Sequence, residues 1–158
     1  MRLLRPQKDK FIFSLSPAEQ RIFLEILPLY PLVPGSHQKL SQSLQGRQIV
    51  EAQRLLDEAL AEQRTEHKKR VEYWLNEKGR FRRTKTGFNL AVPRNDADWL
   101  LQILNDIRIG SWLLLGSPGD RPAPEEIDPE LHPIWAAMEV TGIFQMAVLH
   151  ALEHQPPD

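Results

Sequence analysis

The chain changes its hydrophobic period several times, and each change marks an element. The run Phe11-Ile12-Phe13-Ser14-Leu15 is aromatic and β-branched, which predicts a short strand over Phe11–Leu15. A helix start follows at once: Ser16 suits the N-cap, Pro17 the first helical position, and Glu19 completes a capping box. Ile22, Phe23, Ile26 and Leu27 then share one side of that helix until Pro28 stops it. Pro28, Pro31 and Pro34 predict an extended connector, and the polar stretch 36–46 reads as a short helix or a loop. A long helix is predicted from about Gln48 to Glu77, with Ile49, Ala52, Leu56, Leu60, Val71 and Trp74 on one stripe. Between Leu60 and Val71 that stripe turns polar at Gln63 and His67, and Glu66 and Arg70 form an i,i+4 pair. Thirty residues of helix span roughly 45 Å, longer than the core of one such domain is wide. Part of the helix should therefore project, bend or meet another subunit.

The second half is more apolar. Phe88–Val92 reads as a strand, Thr86-Gly87 as a turn, and residues 80–85 as the other arm of a hairpin. Asn95 is a good N-cap for a third helix through Asp98-Trp99-Leu100 to Leu115, with Asp96 and Asp98 at the positive end of its dipole. That helix is apolar nearly all round and ends at Gly116-Ser117-Pro118-Gly119. A final helix, also apolar on most faces, starts after Asp128-Pro129 or at Pro133 and runs to about Glu153. Glu139, Gln145 and His150 interrupt it, which argues against a membrane span. The pattern gives a single, mainly α domain over residues 1–158. Four principal helices surround two apolar central ones, with a minor two- or three-stranded antiparallel β element and a basic hairpin-like segment at about 78–94. Two helices this apolar need more cover than one short amphipathic helix offers, and a homodimer would supply it.

Composition narrows the chemistry. The 158 residues, 41% hydrophobic and 26% charged, suffice for a globular core without staples. With no cysteine, disulfides, thiolate catalysis and cysteine-ligated metals are excluded. The charged N-terminus lacks the apolar core of a signal peptide, so a cytoplasmic location is expected. Charge is unevenly placed: residues 67–94 carry nine Lys/Arg against two Glu, and residues 95–158 eleven Asp/Glu against two Arg. Within the basic stretch Arg80, Arg82, Arg83, Lys85 and Arg94, interleaved with Phe81 and Phe88, form a candidate basic surface. Such a surface can meet nucleic acid or an acidic protein, or can complement acidic residues 120–130 of the same chain or its mate.

Enzyme signatures are few. There is no phosphate-binding Gly-rich loop with its Lys, and no nucleophile elbow. Glu58, Glu62 and Glu66 recur at four-residue steps without the histidines of a di-iron bundle, and read as a solvated face. His150 and His154 have the i,i+4 spacing of a zinc pair, but no Glu follows His150 directly and no third ligand is signposted. Their place at a helix C-terminus also suits the dipole. His67 reads as an interface or satisfied core residue. No metal, cofactor or catalytic residue is called for.

At the third helix the sequence resembles a bacterial family of uncharacterised proteins, the domain of unknown function 2017 family. The residues that carry the likeness are Leu15-Ser16-Pro17-Ala18-Glu19-Gln20 before a short apolar helix, then Phe88–Val92 followed by Asn105-Asp106-Ile107-Arg108-Ile109-Gly110. Pro133–Leu152 would match the closing apolar helix. The chain departs from the pattern at Ser111-Trp112 and in the weight of its basic segment. The resemblance implies no assigned activity. In some bacteria the family is encoded beside the adaptor of the Clp protease, which points toward proteolysis or its regulation.

Asn105, Asp106 and Arg108 are the polar residues of a helix otherwise built for burial. Asp106 and Arg108 lie two apart and point in different directions, so they cannot pair directly. Either each satisfies a buried group, with Gly110 allowing close packing, or they face a ligand, Arg108 offering its fork to a carboxylate or phosphate. The leading expectation is a non-catalytic interaction or regulatory protein that self-associates and docks an unidentified protein partner through its helical surfaces, away from membranes. A nucleic-acid-binding protein using 78–94 is the alternative, and a small-ligand binder around Asn105 and Arg108 a further one.

Overall fold

A computed structural model of the chain describes residues 1–35 and 47–154, so the stretch 36–46 read above as a short helix or loop lies outside the described residues. Strands β1 (Arg2–Pro6), β2 (Lys10–Leu15), β3 (Phe81–Arg83) and β4 (Phe88–Pro93) form one antiparallel sheet in the order β1-β2-β4-β3. Alternation sets its register. Phe11 lies opposite Val92, Phe13 opposite Leu90 and Leu15 opposite Phe88, and all of these except the half-buried Phe88 are buried. One face of the sheet is thus core, as period-2 alternation requires.

The sheet has one strand more than the pattern predicts. Arg2-Leu3-Leu4-Arg5-Pro6 carries two arginines and a proline and does not alternate cleanly. It pairs because the Gln7 N–H donates to the Lys10 carbonyl at 2.8 Å, turning β1 directly onto β2. An edge position tolerates its proline, and a register shift lies between Leu3 and Arg5.

Helix α1 (Pro17–Ile26) starts on the predicted capping box: the Glu19 N–H donates to Ser16 Oγ at 3.1 Å and the Ser16 N–H to Glu19 Oε2 at 2.8 Å. A 3-10 turn over Leu27–Leu29 follows. Helix α2 (Arg47–Asn76) has the predicted length, but of its stripe from Ala52 onward only Val71 and Trp74 are buried in the core. Between Val50 and Arg70 no residue is buried. Arg70 does not join Glu66 as the i,i+4 spacing suggests. It crosses to Asp96 at 2.7 Å and lies over the Trp99 ring at 4.3 Å, a contact that combines charge with apolar cover.

Helix α3 (Arg94–Leu114) begins one residue before the expected start, without Asn95 as its cap. Strand β4 runs straight into it: Pro93 pairs with Lys10, and the Arg94 N–H donates to the Asp9 carbonyl at 3.0 Å. The chain is already held there, and no side chain caps the helix. Trp99, Leu100, Ile103, Leu104 and Ile107 are buried along it, and Gly116, at φ 84°, turns the chain beyond its end. Helix α4 (His132–Glu153) packs along α3 and buries Ala137, Thr141, Phe144, Val148 and Ala151. The fold is therefore mainly α, with four α-helices and a small antiparallel sheet among the described residues, as the pattern predicts.

Candidate interaction surfaces

The basic segment does not form one surface. Arg80 is buried, and its guanidinium stacks 4.0 Å from the Trp74 ring centre. It donates to the carbonyls of Trp74 at 3.1 Å and Ala91 at 2.6 Å, and pairs with Glu77. Burial pushes its pKa below the ordinary arginine value, while Glu77 and Asp96 pull it back up. An arginine stays charged under such conditions, so Arg80 is a cationic pin between the end of α2 and the sheet. Arg94 is likewise occupied, half-buried over Phe11 at 4.9 Å and donating twice to the Gln7 carbonyl at 3.0 Å. Of the five expected surface cations, only Arg82, Arg83 and Lys85 are exposed. Phe81 and Phe88 are half-buried rather than splayed outward, and Phe81 meets Phe23 edge-on at 6.1 Å. Among the described residues no ion pair joins this segment to residues 120–130. Among those residues Arg80 is the member of the segment that forms ion pairs, with Glu77 and, at 4.0 Å, Asp96.

The polar turn of α3 also divides. Asp106 faces inward and accepts the backbone N–H groups of Leu32 at 2.6 Å and Val33 at 3.2 Å. One turn on, a Cβ at Gly110 would stand 2.6 Å from Leu32 Cβ. Asp106 and Gly110 together hold the 30–33 segment against α3. Beside them Tyr30 Oη lies 3.5 Å from His67 Nδ1, so His67 is an inter-element contact of α2. Burial and the Asp106 charge raise the Tyr30 pKa, against the opposing Arg64 charge.

Asn105 and Arg108 point the other way, into solvent. They line a groove of about 780 Å3 between α3 and α4 with Trp112, Ile143, Met146 and Leu149. The loop beyond α3 is tied over one end by two indoles, Trp112 Nε1 to the Pro118 carbonyl at 3.0 Å and Trp135 Nε1 to the Pro122 carbonyl at 3.2 Å. Arg121 grips Glu139 from that loop. Gln145 reaches Asn105 at 3.4 Å, whereas Arg108 has no hydrogen bond or ion pair among the described residues. Its Nε would lie 3.7 Å from a Cβ at Gly142, an ordinary contact distance, so the guanidinium rests beside α4 at that position.

The groove continues into an uncovered apolar face. Ile143 is 57% exposed, Met146 68%, Leu149 42% and Trp112 39%. By length and composition Pro129–Glu153 could cross a membrane, yet one side of it packs into the core with α3. The period of α4 marks it as apolar all round, and only the fold shows which side remains open.

No model of a protein family, no curated protein and no solved structure matches the chain. The resemblance to the domain of unknown function 2017 family rests on the sequence of Leu15–Gln20, Phe88–Val92 and Asn105–Gly110, with Pro133–Leu152 as the closing helix.

Proposed function

We propose that the chain is a non-catalytic interaction protein of the cytoplasm that self-associates as a homodimer through the α3–α4 face. The observation that carries this reading is the row of Trp112, Ile143, Met146 and Leu149 left in solvent on helices whose other sides supply much of the core. Contiguous apolar patches of this kind mark contact surfaces.

A second copy is the occupant the chemistry favours. The charged residues lining the groove are Arg108, Arg121, Asp120 and Glu139, two of each sign. An isologous interface brings the same patch together twice, so balanced charge makes it self-complementary. An anionic lipid surface would instead favour a basic excess. Arg108 of one copy, which has no ion pair among the described residues, then has Asp120 of the other within the same face. Met146 supplies a side chain that adapts to an irregular seam. The non-catalytic reading is supported by the division of Asn105, Asp106 and Arg108 between two sides of α3, which keeps these three from converging on one site. Helix α2, with no buried residue from Val50 to Arg70, is the surface we assign to an external protein partner.

Light scattering on the purified chain tests the dimer. The expected mass is twice 18.3 kDa, falling to the monomer in the Ile143→Lys, Met146→Lys double variant. A wild-type monomer at high micromolar concentration would overturn the reading.

The groove also favours a second reading, a small apolar ligand whose carboxylate sits on Arg108. The same variant separates the two, because a ligand site inside one chain does not make mass depend on residues 143 and 146.

A further inference from the structure

The last turn of α4 brings together three metal-ligating side chains that play no part in the dimer reading. His150, Glu153 and His154 each offer one donor atom, and these atoms lie within 4.8 Å of one another. Positions i, i+3 and i+4 share one face of a helix. Ala151, not a carboxylate, directly follows His150 in the sequence. The acid stands three residues on, where the helix returns it to the same side.

Two details of the cluster point to ligation rather than chance proximity. The imidazoles are drawn together, with ring centres 4.0 Å apart. His154 Nδ1 lies 2.9 Å from the His150 carbonyl oxygen. A carbonyl only accepts, so Nδ1 must carry the proton, and the lone pair of the neutral ring is left on Nε2. A backbone carbonyl that fixes the tautomer of a histidine in this way is the usual outer support of a metal-binding imidazole.

We propose that His150, Glu153 and His154 form a surface site for a divalent cation of the zinc class. Two imidazoles and one carboxylate match the donor preference of Zn2+, whose bonds of roughly 2.0–2.2 Å to nitrogen and oxygen need only small side-chain rotations to close. The fourth position is left to water. All three residues are exposed, so no walls surround the ion and its role is structural. It ties residues 150 and 154 across the final turn of α4, next to the buried Ala151.

Calorimetric titration of the full chain with Zn2+ tests the site, with thermal unfolding in the presence and absence of the metal as a second readout. One ion per chain is expected. His150→Ala and His154→Ala should each weaken binding by roughly 10- to 100-fold, at least the loss that follows removal of an outer-shell partner. Glu153→Gln should weaken it less, and His132→Ala not at all. Zn2+ should raise the Tm of the wild type and leave that of the His150→Ala, His154→Ala double variant unmoved. Circular dichroism without metal checks that the variants are folded, as substitutions at exposed positions should be. Binding that survives the double variant, or no binding at millimolar Zn2+, would overturn the proposal.

Discussion

The basic hairpin and the α3–α4 face invert what their sequences advertise. The hairpin segment 78–94 carries six Lys/Arg and no Asp/Glu, yet Arg80 and Arg94 are used to hold the fold together. The α3–α4 pair reads as core, yet Ile143 and Met146 stand in water. Charge next to a strand can be structural when carbonyls and an aromatic face converge on it, and apolar residues on a helix are functional candidates when the fold leaves them uncovered.

Substitutions within the hairpin should give the sharpest contrast. Arg80→Ala leaves the carbonyls of Trp74 and Ala91 without their donor and removes the stack on Trp74. A loss of about 3 kcal/mol is expected in urea unfolding. Arg82→Ala and Arg83→Ala, though their neighbours in sequence, should stay within about 0.5 kcal/mol of the wild type. Equal losses at all three would remove the distinction between a structural and a solvated half.

The polar turn of α3 should show the same division. Asp106→Ala strands two backbone N–H groups at Leu32 and Val33 and should cost about 1–3 kcal/mol. Asp106→Asn keeps an acceptor oxygen and should cost less. Gly110→Ala pushes a methyl group into Leu32 and should cost about 1–3 kcal/mol. Arg108→Ala, on the solvent side, should leave stability unchanged while weakening self-association.

These divisions explain how much was legible in advance. The capping box at Ser16–Glu19 and strands β2 and β4 followed from local rules, because caps and alternation involve residues close in sequence. β1 was not legible, since its pairing depends on the turn at Gln7–Lys10 rather than on its own pattern. The inward turn of Arg80 was hidden for a similar reason: its acceptors, Trp74 and Ala91, lie six and eleven residues away and converge only in the folded chain. Asn105 and Arg108 were singled out by their polarity, and the groove they line became visible only once α4 was in place. The exposed side of α4 had no signal in periodicity, because its residues are apolar on both sides.

The smallest expected effect concerns Tyr30. Its pKa is raised, so its neutral form is favoured in the fold. The stability it contributes is fully present below the ordinary tyrosine value and is lost as pH rises through the raised one. Phenolate absorbance of the folded chain should include a component titrating above the ordinary value, and Tyr30→Phe should abolish it.

The α3–α4 interface itself can be read directly, because a chain without cysteine accepts a single spin label at any introduced thiol. Labels at Asp120→Cys, on the groove, and at Lys85→Cys, on the hairpin, give the distance between the two copies by pulsed dipolar spectroscopy. The account predicts a short inter-copy distance at position 120 and a distinctly longer one at position 85. A shorter distance at 85 than at 120, or no coupling at 120 in a sample of dimeric mass, would contradict it.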